Sequence, residues 1–217
     1  MTNTLLSVIK KKYPLTALEV GEFAKMKVNG MRFTVQAYLA EGLGHVSIMR
    51  ATGFFGLMQM DTLIVNPIEI DLPLYSYDRI FAMGNDTLII ELYDTLLGEY
   101  SDKSLEDIKA KPKFAELPER DPGEHWYDSI KLPSSISKKG KKKHTDHLHS
   151  LAHKHFTSYI ESSDVPVYDK AKKLAKASEY VDGLLKNGGP STDVFKKALG
   201  DEKTAQLFKN VLFGIMK

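Results

Sequence analysis

The chain has 217 residues, 42% of them hydrophobic and 27% charged, which suits one large domain with a core able to enclose a ligand. It has no cysteine, and this excludes disulfides, thiolate zinc sites and iron–sulfur clusters built from the chain alone. A formal net charge of +2 gives no footprint for nucleic acid, and no run of about 18 apolar residues offers a membrane span.

The first 14 residues lack the charged, apolar and small-residue order of a signal peptide, so a cytoplasmic protein is expected. Residues 1–30 read as short helical or irregular structure, with Leu5, Leu6, Val8 and Ile9 as an apolar stripe. Residues 31–95 are rich in β-formers. Strands are predicted over 31–40, 44–51, 56–66, 74–83 and 86–93, with hairpin turns at Glu41-Gly42-Leu43 and Gly84-Asn85. Asn66-Pro67 and Pro73 bound the fourth strand. The connections are too short for helical crossovers, so an antiparallel sheet of five or six strands is expected.

From residue 96 the pattern is mainly helical, broken by a loop rich in Pro, Ser and Lys. Helices are predicted over 145–161 and 167–187, the second on the spacing of Val167, Ala171, Leu174, Ala177, Val181 and Leu184. Asn187-Gly188-Gly189-Pro190 stops it, Ser191 or Thr192 caps a short helix to Leu199, and a last helix carries Leu207, Phe208, Val211, Leu212 and Ile215. Strands followed by helices indicate a single α/β domain over 1–217, with helices covering a sheet.

Three features carry chemistry. Asp61, Asp78 and Glu91 interrupt apolar strands, where carboxylates are poor strand formers and costly to bury. A desolvated carboxylic acid becomes a proton donor near neutral pH, whereas an acid on a solvated face or paired with Arg or Lys does not. His144, His147, His149, His153 and His155 form a second feature. Asp146, His149 and His153 share a helix face that suits a divalent metal, although neighbouring lysines favour a plain solvated face. The block Lys138, Lys139, Lys141, Lys142 and Lys143 reads first as a mobile, solvated loop, and otherwise as a dock for an acidic protein or a ligand's carboxylates. Met49, Met58 and Met60 with Phe54 and Phe55 suit core packing or the flat face of a large π-ligand.

The segment Asp71-Leu72-Pro73-Leu74-Tyr75-Ser76-Tyr77-Asp78 resembles a motif of the ferredoxin-dependent bilin reductase superfamily. In that family a proline-ended strand is followed by an acidic-Leu-Pro segment, an aromatic and an aspartate. The resemblance continues at Ile90-Glu91-Leu92, over 180–190 and 195–200, and at Leu212-Phe213, spanning roughly residues 30–95 and 165–215. Red chlorophyll catabolite reductases share the family's fold.

The resemblance implies a three-layer α/β/α sandwich with a central antiparallel sheet and a linear tetrapyrrole held between the sheet and the C-terminal helices. It implies no metal and no bound organic cofactor: ferredoxin passes electrons directly to the bilin, and side chains supply protons. Asp78 aligns with the family's proton-donating aspartate. Asp61 aligns with a position that is His or Asn in many members and is expected as a second acid at the ligand. Arg50, Met49, Tyr77, Arg79, Glu91 and Asn187 are the expected ligand contacts, and the lysines at 138–143 the expected ferredoxin dock. Two family acids are missing, since Met49 or Arg50 and Gly188 or Gly189 stand where they would fall. A non-catalytic tetrapyrrole carrier and a His/Lys-based metal or interaction module are the alternatives.

Overall fold

The computed structural model describes residues 1–189 and 191–216, so the stop expected at Pro190 lies outside the described residues. Helix α1 (Thr2–Lys12) buries Leu5 and Ile9 as one stripe. Strands β1 (Leu15–Leu18) and β2 (Lys25–Val28) share one edge of β3 (Met31–Ala40). Then β4 (Gly44–Gly53), β5 (Met58–Pro67), β6 (Leu74–Ala82) and β7 (Asn85–Tyr93) each pair antiparallel with the strand before. After α2 (Lys103–Lys109) and α3 (Pro112–Ala115), β8 (Ile136–Lys141) pairs with β7. Helices α4 (Thr145–Glu161), α5 (Lys170–Asn187), α6 (Thr192–Leu199) and α7 (Asp201–Gln206) follow, and a π-helical turn spans Leu207–Leu212.

The α/β class and the antiparallel sheet are as expected, but the sheet has eight strands rather than five or six. The additional strands are short or charged. In β8, Ile136, Lys138 and Gly140 turn inward while Ser137, Lys139 and Lys141 face out. This segment is therefore not a mobile loop. The free edge of β7 requires a partner for its backbone N–H and C=O groups, and the outer edge of β8 is met in turn by a short bridge from residues 118–120.

Helices cover both faces. On the first, Ile48, Leu63, Val65, Tyr75, Tyr77, Leu88 and Ile90 pack with α1 to α4. On the second, Phe33, Val35, Met49, Ile64, Leu74 and Tyr93 pack with α5, α6 and the π turn. Two groups of buried polar contacts fix the second layer, one at Lys173 and one at the π turn. Lys173 of α5 donates to Asp71 (2.8 Å) and to the Leu72 carbonyl (2.6 Å). Ser47 and Asn66 of the sheet donate to the Leu212 and Phe213 carbonyls, at 2.7 and 2.8 Å. His45 Nε2 lies 2.8 Å from the Val211 carbonyl, and burial lowers its pKa, so a neutral ring donates there. The last expected helix is thus α7 plus a π turn tied down by three sheet side chains.

Candidate active site

The hairpin joining β6 and β7 sets the geometry. Its two turn residues are Met83 and Gly84, with φ of 51° and 76°, one residue earlier than Gly84-Asn85. That turn pairs Asp78 with Ile89 and Ser76 with Glu91, while Thr62 of β5 pairs with Asp78 on the other side. Paired residues share a face, so Asp78, Thr62 and Glu91 all point to the second face. Between that face and the helices lies a cavity of about 340 Å³, in the range of small-molecule sites. Its walls are apolar, with Phe33, Met49, Met60, Ile64, Leu184 and Phe195 prominent.

Asp78 is hemmed in by protein and faces this space. Burial is the main reason its carboxyl is pushed up to about 6; the charge of Glu91 adds to the effect, and a hydrogen bond from Thr62 Oγ1 to Asp78 Oδ1 (2.5 Å) opposes it. Glu91 accepts a hydrogen bond from the Tyr93 hydroxyl at 2.6 Å and lies 3.8 Å from the Lys131 ammonium. The two carboxyls thus have unlike surroundings: Glu91 has a cation, and Asp78 has a hydroxyl.

Of the ligand contacts expected from sequence, the structure brings Met49 and Glu91 to Asp78. Tyr77 and Arg79 flank Asp78 along one strand, and successive strand residues face opposite ways. Tyr77 is buried in the first-face core, and Arg79 forms a buried ion pair with Asp86, Nη2 to Oδ2 at 2.6 Å. Asp61 pairs across from Arg79 and Arg50, so it too lies on the first face. Its carboxylate is 3.4 Å from the Met1 amino nitrogen and 3.8 Å from Arg50 Nε. Arg50 also donates to Thr2 Oγ1 at 2.9 Å. Asp61 and Arg50 therefore hold α1 to the sheet and are not beside the cavity. Asn187 is exposed at the end of α5, and Leu184, one turn earlier, is the wall residue.

Among the lysines, Lys138 is buried and committed to Glu119 and the Leu117 carbonyl, while Lys139, Lys141, Lys142 and Lys143 are exposed at the end of the sheet. Among the described residues, no three His, Cys, Asp or Glu side chains converge on a metal site. His155, one of the histidine run, is buried between Tyr75 and the Ser134 carbonyl, and burial lowers its pKa to about 4.

Sequence reasoning missed residues 119–127, which bring Arg120, His125 and Tyr127 to the cavity wall. The backbone of Arg120 joins Ser137 at 3.0 Å, and its guanidinium has no carboxylate partner among the described residues. His125 stacks on Tyr127 with ring centres 4.9 Å apart, and its buried Nδ1 has no hydrogen-bond partner. Trp126, the one tryptophan, anchors this loop: Nε1 donates to the Gly188 carbonyl at 3.0 Å and the ring lies flush against Gly183, where a Cβ would come within 2.1 Å. The cluster His125-Trp126-Tyr127 in an otherwise polar stretch was the available signal.

No family model and no curated protein sequence matches the chain. Among solved structures, phytochromobilin synthase from tomato in complex with biliverdin is similar, with a TM-score of 0.71 and 15% identity, over 99% of this chain and 83% of that one. The two share a fold. The likeness of backbone architecture runs along nearly the whole chain, well beyond residues 30–95 and 165–215.

Proposed function

We propose that this chain binds an open-chain tetrapyrrole of the biliverdin class in the second-face cavity and reduces it with electrons from ferredoxin, Asp78 delivering a proton. The observation that carries this reading is Asp78: a carboxyl raised to about 6, in an apolar cavity, beside a second carboxylate. A general acid works best when its pKa lies near the working pH. Likeness of fold to a biliverdin-bound protein supports the ligand class.

Two electrons and two protons saturate one double bond of the chromophore. Asp78 gives one proton to the reduced chromophore and regains it from solvent, and the second proton comes from solvent. Glu91 keeps the Asp78 proton in place by charge repulsion. Arg120 and His125 supply donors for the ligand's carboxylates. Met49 and Met60 pack against its π-face.

The test is anaerobic turnover of biliverdin with reduced ferredoxin. Asp78→Asn is expected to lower product formation by about a hundredfold or more, the usual scale for a lost general acid, while the bilin absorption band still appears on titration. Product formation at the wild-type rate would remove Asp78 from the mechanism. An absorption band that never forms with the wild-type chain would remove the ligand class.

A further inference from the structure

Because β2 to β8 run antiparallel, three hairpin turns and the end of β8 all emerge at one end of the sheet. The middle of this end is apolar and bare. Phe54, Phe55 and Leu57 of the β4–β5 turn and Met83 of the β6–β7 turn are exposed, Phe55 wholly so, and Phe81 is partly exposed beside them. Phe54 and Phe55 also have φ of 51° and 56°, followed by Gly56 at 89°. Bulky residues avoid this conformation, which costs about 1–2 kcal/mol per residue, and here no burial within the chain offsets it.

The surroundings are of one charge. Over residues 27–32, 52–59, 81–86 and 139–143 there are six basic side chains, Lys27, Arg32, Lys139, Lys141, Lys142 and Lys143, all exposed. The sole acid in those segments is Asp86, buried against Arg79. Met31 and Met58, at the base of the same turns, line the cavity.

We infer that this end of the sheet is a docking surface for an anionic lipid bilayer. Protruding aromatic residues ringed by lysines match the interface of such a membrane: rings enter the headgroup boundary while ammonium groups meet phosphates. A convex apolar tip fits a deformable interface better than it fits a rigid protein surface. Among the described residues no helix is long and apolar enough to cross a membrane, so the contact is interfacial. A bilayer at this end puts the base of the cavity near an apolar phase from which a poorly soluble ligand can partition.

The experiment is co-sedimentation of the full chain with phosphatidylcholine vesicles, with and without phosphatidylglycerol, across a salt series. The wild-type chain is expected to bind the anionic vesicles and release them at high salt. Phe55→Ser is expected to weaken binding about tenfold from the lost apolar burial, and replacing Lys141, Lys142 and Lys143 by Gln about a hundredfold. The Phe55 ring is wholly exposed, so that variant keeps the fold, which far-ultraviolet dichroism verifies. Equal binding by Phe55→Ser, no preference for anionic vesicles, or engagement of an acidic protein by the tip without any vesicle binding would overturn the inference. The measurement needs no bilin, so it stands or falls apart from the proposed reduction.

Discussion

The two faces of the sheet use the same residue types to opposite ends. On the first face Asp86 meets Arg79 and Asp61 meets Arg50, each acid matched by a guanidinium. On the second, Asp78 faces an apolar cavity with only Thr62 to bond it and another carboxylate nearby. An acid in an apolar strand therefore does not by itself mark a site. Which face it takes, and what lies opposite in the register, decides whether it is held as a charge or kept as an acid.

The first way to break this comparison is to remove an acid from each face. Asp86→Ala leaves the Arg79 guanidinium buried without its partner and is expected to cost about 3–5 kcal/mol in urea unfolding. Asp78→Asn should have the opposite sign. The folded-state pKa is raised from 3.8 to about 6, so ionisation opposes folding, and the wild-type chain loses stability as pH rises through that window. The variant is then more stable by up to about 3 kcal/mol at pH 8, and the gain vanishes below about pH 4, where both states are protonated. His155 works the other way: its pKa is lowered to about 4, so its contribution is full above 6.5 and is lost as pH falls toward 4. It is common to both proteins and cancels in their difference. A stability difference independent of pH would show that Asp78 is not held protonated.

A smaller effect is expected at the loop that sequence reasoning missed. Gly183→Ala places a methyl inside the Trp126 ring and should push the indole off α5, at a cost of about 1–3 kcal/mol. Because Trp126 holds His125 and Tyr127 at the cavity, biliverdin affinity should fall with it, while the urea midpoint moves less than for Asp86→Ala. The lone tryptophan reports both events, through its emission and through quenching by bound bilin. Unchanged emission and affinity would show that the loop holds without this contact.

Much of the second face was legible. The five strands from β3 to β7 follow from alternation and turn residues, and the hairpin between β6 and β7 binds Glu91 and Asp78 to one face. The alternation within β6 itself separates the expected contacts: Tyr77, Asp78 and Arg79 are consecutive, so a ligand on one face of the sheet cannot meet all three. Asp61 was harder, because its face depends on the β5–β6 register, which a connection over residues 68–73, unlike a two-residue hairpin turn, leaves unset until tertiary packing fixes it. The Asp71-Leu72-Pro73 motif has a structural duty, since Asp71 and the Leu72 carbonyl receive the buried Lys173 of α5. β8 was hidden because a lysine-rich edge strand has the composition of a loop. Residues 119–127 have no periodicity, and only contacts with β8 at one end and α5 at the other give them a place.

The finest distinction concerns Glu91. If its charge helps keep Asp78 protonated, Glu91→Gln should lower the Asp78 pKa without touching the proton donor itself. The alkaline limb of the pH–rate profile would then move to lower pH, giving a few-fold loss of rate at neutral pH and almost none in acid, where Asp78 is protonated in both proteins. A glutamate that simply contacts the ligand would instead change KM at every pH and leave the limb in place. The two outcomes separate an electrostatic partner from a binding group. They also test whether unlike surroundings, Lys131 and Tyr93 for Glu91 against Thr62 alone for Asp78, assign the proton to Asp78 rather than to Glu91.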